Sequence, residues 1–257
     1  MKKYQLSFIL LTFILGCSSN GTGKMSNNNT EMSPNKLIDI DSNVYKTITI
    51  GKQTWMAENL KVTRYANGAV IPHITDNTAW ANLGDNDTDK GYSYQNNNAN
   101  KESDLYGALY TYAAATNGDN SSNNVQGVCP KGWHLPSDEE WKALEIGLGM
   151  STEDANDTSW RGTDQGSQLA GNAGLWVDGI LENNLNFGSS NFSGVPGGSR
   201  YDYNGAFVNI GIHGYWWTST QKGSKYAFVH RIDHRATTVF RFEHAKSYGI
   251  SVRCVKD

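Results

Sequence analysis

The chain has 257 residues, a formal charge of −3, eight Trp and thirteen Tyr, with glycine abundant (27) and proline scarce (5). A mildly acidic balance argues against a nucleic-acid footprint, which needs a basic face, and the length suits one domain or two small ones. Richness in Gly, Asn and aromatics predicts a loop-heavy domain of short strands.

Residues 1–17 read MKKYQLSFILLTFILGC: a basic start at Lys2 and Lys3, an apolar stretch from Leu6 to Leu15, then Gly16 and Cys17. The apolar stretch is too short for a spanning helix and has signal-peptide flanks. A small residue before cysteine resembles a lipoprotein signal, so residues 1–16 are expected to be removed and Cys17 to carry the lipid. That places the chain in the cell envelope, held to a membrane through its N-terminal lipid. An ordinary secretory signal with an incidental cysteine is the plainer alternative. Residues 17–36 lack periodicity and large apolar groups, so they are expected to be a flexible tether with a reach of about 25 Å. Ser18 and Ser19 offer no inner-membrane retention aspartate, which leans towards the outer membrane, on either face.

The folded domain is expected over 37–257. Alternation at Val44, Ile48 and Ile50, then Gly51-Lys52, then Thr54-Trp55-Met56 predicts a β-hairpin. Residues 64–103 form a long polar stretch. Leu105, Leu109 and Tyr112, with alanines between, fit a helical stripe that starts near Ser103-Asp104 and ends at Asn117-Gly118. A second helix has the better signature: Ser137 with Glu140 three residues on reads as a capping box, and Trp141, Leu144 and Leu148 line one face. From Gly188 onward GYWWTST, YAFVHRID, TTVFRFEH and YGISVRCVKD read as strands between long loops. In the last, Ile250, Val252 and Cys254 alternate with Ser251, Arg253 and Val255, as in a half-buried strand. Helices early and strands late make the class α+β. Trp55, Trp133 and Trp141 read as core, and Trp216 and Trp217 must point to opposite faces of one strand.

With Cys17 acylated, Cys129 and Cys254 remain. An oxidising compartment and an even pair favour a disulfide, worth up to ~5 kcal/mol for so long a loop. Two buried free thiols are the alternative.

DIDSNVYKTITIGKQTWMAENL, IPHITDNTAWANL, LYGALYTYAAA, GVCPKGWHLPSDEEWKALE, VPGGSRY, GYWWTST and YGISVRCVKD occur in one order. That order resembles the Fibrobacter succinogenes major paralogous domain over roughly residues 37–257. The resemblance implies a C-type-lectin-like fold with two helices, short antiparallel strands and long loops, in a secreted protein or lipoprotein. It implies no particular reaction.

Six histidines stand at 73, 134, 213, 230, 234 and 244. His230 and His234 would chelate a metal on a helix, but on a strand they lie ~13 Å apart, and no metal is expected there. Asp85, Asp87 and Asp89 alternate as calcium ligands do, yet Lys90 and Asn96 stand where such a loop needs glycine and glutamate. A solvated acidic turn is expected, with a weak calcium site of another geometry as the alternative and no other cofactor. The lectin-like scaffold also hosts formylglycine-generating enzymes, and residues 196–200 (PGGSR) are faintly similar to their glycine-rich strand. Those enzymes resemble paired-thiol chemistry, and iron-dependent relatives carry His-x3-His-x-Glu, whereas Ala236 stands in the glutamate's place here. A non-enzymatic module that binds a glycan, a peptide or an envelope partner is therefore expected, with a formylglycine-generating-type enzyme or degenerate relative as the alternative. Loops carry function, and the candidate ligand residues are Arg200, Tyr201, Tyr203 and Asn204, with Arg231, Asp233, Arg235 and Arg241 as an outward charged face of the late hairpin.

Overall fold

The computed structural model describes residues 36–121 and 123–257, so the expected leader, Cys17 and nearly all of the tether lie outside the described residues. In chain order the first half contains β1 (Lys36–Ile38), β2 (Val44–Ile50), β3 (Gln53–Met56), α1 (Asn77–Ala81), β4 (Tyr92–Tyr94) and α2 (Glu102–Tyr106). There follow β5 (Ala108–Tyr110), α3 (Tyr112–Thr116), β6 (Trp133–His134), α4 (Asp138–Gly147), α5 (Thr152–Asn156), β7 (Ser159–Arg161) and α6 (Gln165–Leu169). The remainder is β8 (Ser199–Arg200), β9 (Phe207–Val208), β10 (His213–Lys222), β11 (Tyr226–Asp233), β12 (Val239–Ala245) and β13 (Val255–Lys256). This is the expected α+β class, and no described helix is long and apolar enough to cross a membrane.

Two sheets organise the molecule. One has the order β1-β2-β3-β13-β6 and the other β10-β11-β12-β7, while β4-β5 and β8-β9 form small pairs. Every strand pairing is antiparallel. The β2–β3 hairpin turns at Gly51, whose φ of +60° suits a residue without Cβ. α4 begins with the expected capping box, the Ser137 hydroxyl and Glu140 carboxylate each accepting from the other's backbone N–H.

The alanine-rich stripe does not form one helix. α2 stops at Gly107, where φ is +74° and a Cβ would meet the Leu60 carbonyl oxygen at 2.8 Å. Ala108–Tyr110 then pair with β4, and α3 restarts on the Thr111 cap. Tertiary pairing has overridden the local periodicity.

Two apolar clusters form the core. The first surrounds Tyr45, Tyr110, Tyr112 and Trp217 and includes the Cys129–Cys254 disulfide, which joins residues 125 apart with a Cα separation of 5.9 Å. The second gathers Trp55, Trp141, Phe192 and Trp216. Trp55 and Trp141 meet edge to face at 5.0 Å between ring centroids, a favoured aromatic geometry. Trp133 is buried as expected, and Trp216 and Trp217 are buried on opposite sides of β10. The segment Ile250–Val255 is buried throughout rather than on alternate residues, because it threads between both clusters.

Candidate functional site

Strand parity divides the β10-β11-β12-β7 sheet into two chemically distinct faces. Registers Trp216↔His230↔Arg241 put those side chains on the inner face, towards α4. Registers Tyr215↔Arg231↔Phe240↔Trp160 put those on the outer face.

The inner face carries the densest set of ionisable groups. Asp138 and Glu145 are seven residues apart on α4 and share its sheet-facing side. Arg241 grips Asp138 with two bonds, Nε to Oδ1 at 2.7 Å and Nη2 to Oδ2 at 2.6 Å. His230 lies between the carboxylates, Nε2 at 3.1 Å from Asp138 Oδ1 and Nδ1 at 2.7 Å from Glu145 Oε1, with its ring stacked on Trp141 at 4.9 Å. Arg161 of β7 donates to Glu145 and sits 3.1 Å from His230 Nδ1. Burial would raise the Asp138 carboxyl, but the His230 and Arg241 bonds outweigh it and hold it far below the usual carboxylate range. All five groups are buried. A buried set paired in this way ties α4 to the sheet, with Arg161 Nε alone of its buried side-chain N and O atoms left without a partner.

Arg241 is therefore not part of an outward face. Its side chain follows the inward parity of His230. Arg200 is corrected likewise: it is fully buried, sandwiched between Trp80 (4.4 Å) and Phe207 (4.7 Å). Its guanidinium donates to the carbonyls of Ile74, Thr75 and Gly205 and to Asn77 Oδ1. Burial pushes it down to about 10. Arg253 sits inside too, donating to Asn59 Oδ1 and to the Phe192 and Ser193 carbonyls. Loops that must order their carbonyls recruit arginines for the purpose, because one guanidinium satisfies several at once.

The acidic turn is tied down by different partners. Asp85 Oδ1 accepts from the Ser247 N–H (3.1 Å) and hydroxyl (2.6 Å), and Asp87 Oδ1 accepts from the buried Lys246 ammonium (2.7 Å). Asp89 Oδ2 accepts from the Gly84 N–H at 2.8 Å and Asn86 Nδ2 at 3.0 Å. Among the described residues, no group of three or more His, Cys, Asp or Glu is placed to hold a metal ion. His234 lies just beyond β11 with Nδ1 3.3 Å from the Asp178 carbonyl, while His230 is buried on the inner face.

The outer face brings together most of the remaining candidates. A continuous aromatic strip follows β12 and continues into two loops. Centroid separations are 4.9 Å for Trp160–Phe240, 5.2 Å for Phe240–Phe242, 5.3 Å for Phe242–His244 and 3.7 Å for His244–Tyr248. Tyr248 then meets Tyr201 at 5.5 Å, and Tyr201 meets Tyr203 at 5.2 Å. The middle rings are half-buried, whereas Tyr203 is 68% exposed and Trp160 44% exposed at the two ends. The Arg231 guanidinium lies 4.3 Å over Phe240 and 5.0 Å from Trp160. His213 Nε2 and Asp233 Oδ2 are 2.8 Å apart, and Asp233 Oδ1 accepts from the Arg235 N–H at 2.9 Å. These bonds overcome burial and hold Asp233 far below the usual carboxylate range. Burial, followed by the Arg231 charge, pushes His244 down to about 4, so its ring is neutral in this strip. Asn204 is exposed and shapes the loop by accepting from the Ala206 N–H at 3.0 Å.

An α+β domain with a buried ionic inner face, and an outer face packed on the core at β10 and β11 but partly exposed along β12 and β7, is the class this geometry defines. The chain belongs to the Fibrobacter succinogenes major domain family, whose sequence model matches residues 48–256. No curated protein and no solved structure matches it.

Sequence reading missed the Asp138–Glu145–His230–Arg161 set and the strip as a unit. The first had a signal: acids at helical spacing seven on the same stripe as Trp141. The second needed the register between β7, β12 and the Tyr201 and Tyr248 loops, which no local pattern carries.

Proposed function

We propose that the chain is a non-enzymatic binding module of the cell envelope, C-type-lectin-like in fold and lipid-anchored through Cys17 to the outer membrane. Its ligand surface is the β12–β7 side of the outer face of the β10-β11-β12-β7 sheet, with the Tyr201 and Tyr248 loops. The observation that carries this reading is the strip from Trp160 to Tyr203, a run of half-exposed rings on a rigid sheet. Contiguous exposed apolar surface rimmed by polar groups marks interaction sites, and Tyr and Trp beside hydrogen-bonding groups suit sugar rings or peptide surfaces. The non-catalytic part of the reading is supported by the bond between Cys129 and Cys254 and by the mutual pairing of the inner-face acids and bases. No calcium is assigned, since Asp85, Asp87 and Asp89 already serve Ser247, Lys246 and Gly84.

The test is binding of the purified chain to glycan and peptide arrays, with and without calcium, alongside a Phe242→Ala, Tyr203→Ala double variant. A ligand held by the native chain and lost by the variant at unchanged fold supports the outer face. An interaction that survives both substitutions refutes it. Incorporation of labelled palmitate that a Cys17→Ser variant abolishes checks the anchor.

A further inference from the structure

Resting on the reading of the outer face as a binding surface, the geometry points to a ligand class. We infer that the cleft at the Trp160 end of the strip binds an acidic sugar, a uronate residue of a polysaccharide, stacked on the Trp160 indole with its carboxylate on Arg235.

The cleft has a volume of about 490 Å³ and is lined by Trp160, Ile180, Asp233, Arg235, Thr237 and Thr238. That size falls within the range of small-molecule sites. Its plate is the indole, which Phe240 meets edge to face at 4.9 Å and over which the Arg231 guanidinium lies at 5.0 Å. A flat apolar surface, fixed in place and still 44% exposed, suits the C–H face of a ring.

Charge decides what kind of ring. Asp233 is the only carboxylate in the lining, and its side chain is 2% exposed and engaged by His213 Nε2 and the Arg235 N–H. The Arg235 side chain is 71% exposed, and its contact with Asp233 is a single long Nε bond of 3.4 Å. Among the described residues its Nη groups have no hydrogen-bond partner, so a lining guanidinium is left free to offer its fork to a carboxylate. The Thr237 hydroxyl donates to the Thr163 carbonyl at 2.7 Å, whereas the Thr238 hydroxyl makes no hydrogen bond in the structure and is available to a sugar hydroxyl. What the mouth presents is thus cationic and donor-rich beside an apolar plate. Arg231, 5.0 Å from the Trp160 ring, adds to that sign.

Phe240, with the Arg231 guanidinium over it, and Phe242 carry the aromatic run on along β12, the direction in which a polymer would continue. An acidic peptide fits less well. β7, the edge strand here, is three residues long and starts at Ser159 with a φ of +71°, too short and bent to pair an extended chain.

The experiment is affinity electrophoresis of the full chain through gels containing polygalacturonate, alginate or hyaluronate, against fully methyl-esterified polygalacturonate and poly-glutamate. Retention by at least one polyuronide, roughly tenfold stronger than by the ester and by poly-glutamate, is the expected result. Trp160→Ala should weaken that retention roughly tenfold or more, and Arg235→Gln should reduce it to the level of the ester. Arg235→Gln alters an exposed side chain, so it reports on the site even if Trp160→Ala were to disturb the sheet edge. Retention by none of the polyuronides overturns the inference, as does equal retention by the ester or by poly-glutamate, or indifference to both substitutions. If the arrays meanwhile yield a ligand that depends on Phe242 and Tyr203, the ligand class falls while the binding surface stands.

Discussion

The two faces of the four-stranded sheet are built from the same strands, yet they treat polar chemistry in opposite ways. On the inner face Asp138, Glu145, His230, Arg161 and Arg241 are buried and pair with one another. On the outer face aromatic rings remain half in water, and Arg235 extends freely from its turn. The cluster with the most ionisable groups is thus buried between α4 and the sheet, while the face with the plainer inventory keeps several rings partly exposed. Structural ion-pair networks perturb the ionisation of their members just as functional sites do, so a cluster of charges is no guide to function by itself.

The largest effect should come from breaking the joint. Asp138→Ala leaves the Arg241 and His230 side chains buried without their partner, and about 3–5 kcal/mol of stability should be lost in denaturant unfolding. A loss below 1 kcal/mol would mean the joint is replaceable. On the outer face Phe242→Ala removes a half-buried ring, and about 2 kcal/mol is expected from the same measurement. pH sharpens the contrast further. His244 resists protonation in the fold, while the unfolded chain takes up the proton near 6.5, so stability should fall as pH drops from about 6.5 towards 4. His134 acts in the opposite sense: the Glu140 bond raises it, so its contribution is present below 6.5 and fades as pH rises. The depressed Asp138 and Asp233 lose theirs only below about 3.8. His244→Phe keeps a ring in the strip and should flatten the acid-side fall in melting temperature between pH 6.5 and 4. An unchanged slope would place the titration elsewhere. The smallest effect on stability belongs to Tyr203→Ala, within about 0.5 kcal/mol, since the side chain stands mostly in water. Its consequence should appear in ligand retention instead.

Local signals were legible in proportion to how local their causes were. The Gly51 hairpin, the Ser137–Glu140 box and the three long strands from His213 to Ala245 all follow from short-range pattern, and all are present. The α+β class and the Cys129–Cys254 pairing were readable as well. The alanine stripe misled because Gly107 faces the Leu60 carbonyl, a contact 47 residues away. Arg200, Arg241 and Arg253 misled for a shared reason. Arginine is normally a surface residue, but in a domain rich in irregular loops it satisfies backbone carbonyls that no strand or helix pairs. Among the candidate ligand residues, Tyr201, Tyr203, Asn204, Arg231 and Arg235 lie on or beside the outer face, and only register shows that Trp160 joins them. Asp233, by contrast, is buried against His213 and is not part of an outward charged face.

β13 is two residues long and is wedged between β3 and β6, so the five-stranded sheet stays split until that segment arrives. Its neighbours precede it by well over a hundred positions, and such distant pairing is slow because the intervening chain must first be gathered. A polypeptide emerging N-terminus first would carry β1, β2 and β3 as an unfinished half-sheet for most of its synthesis. Completion of that sheet, and of the Cys129–Cys254 bond beside β13, therefore waits for residues 254–256.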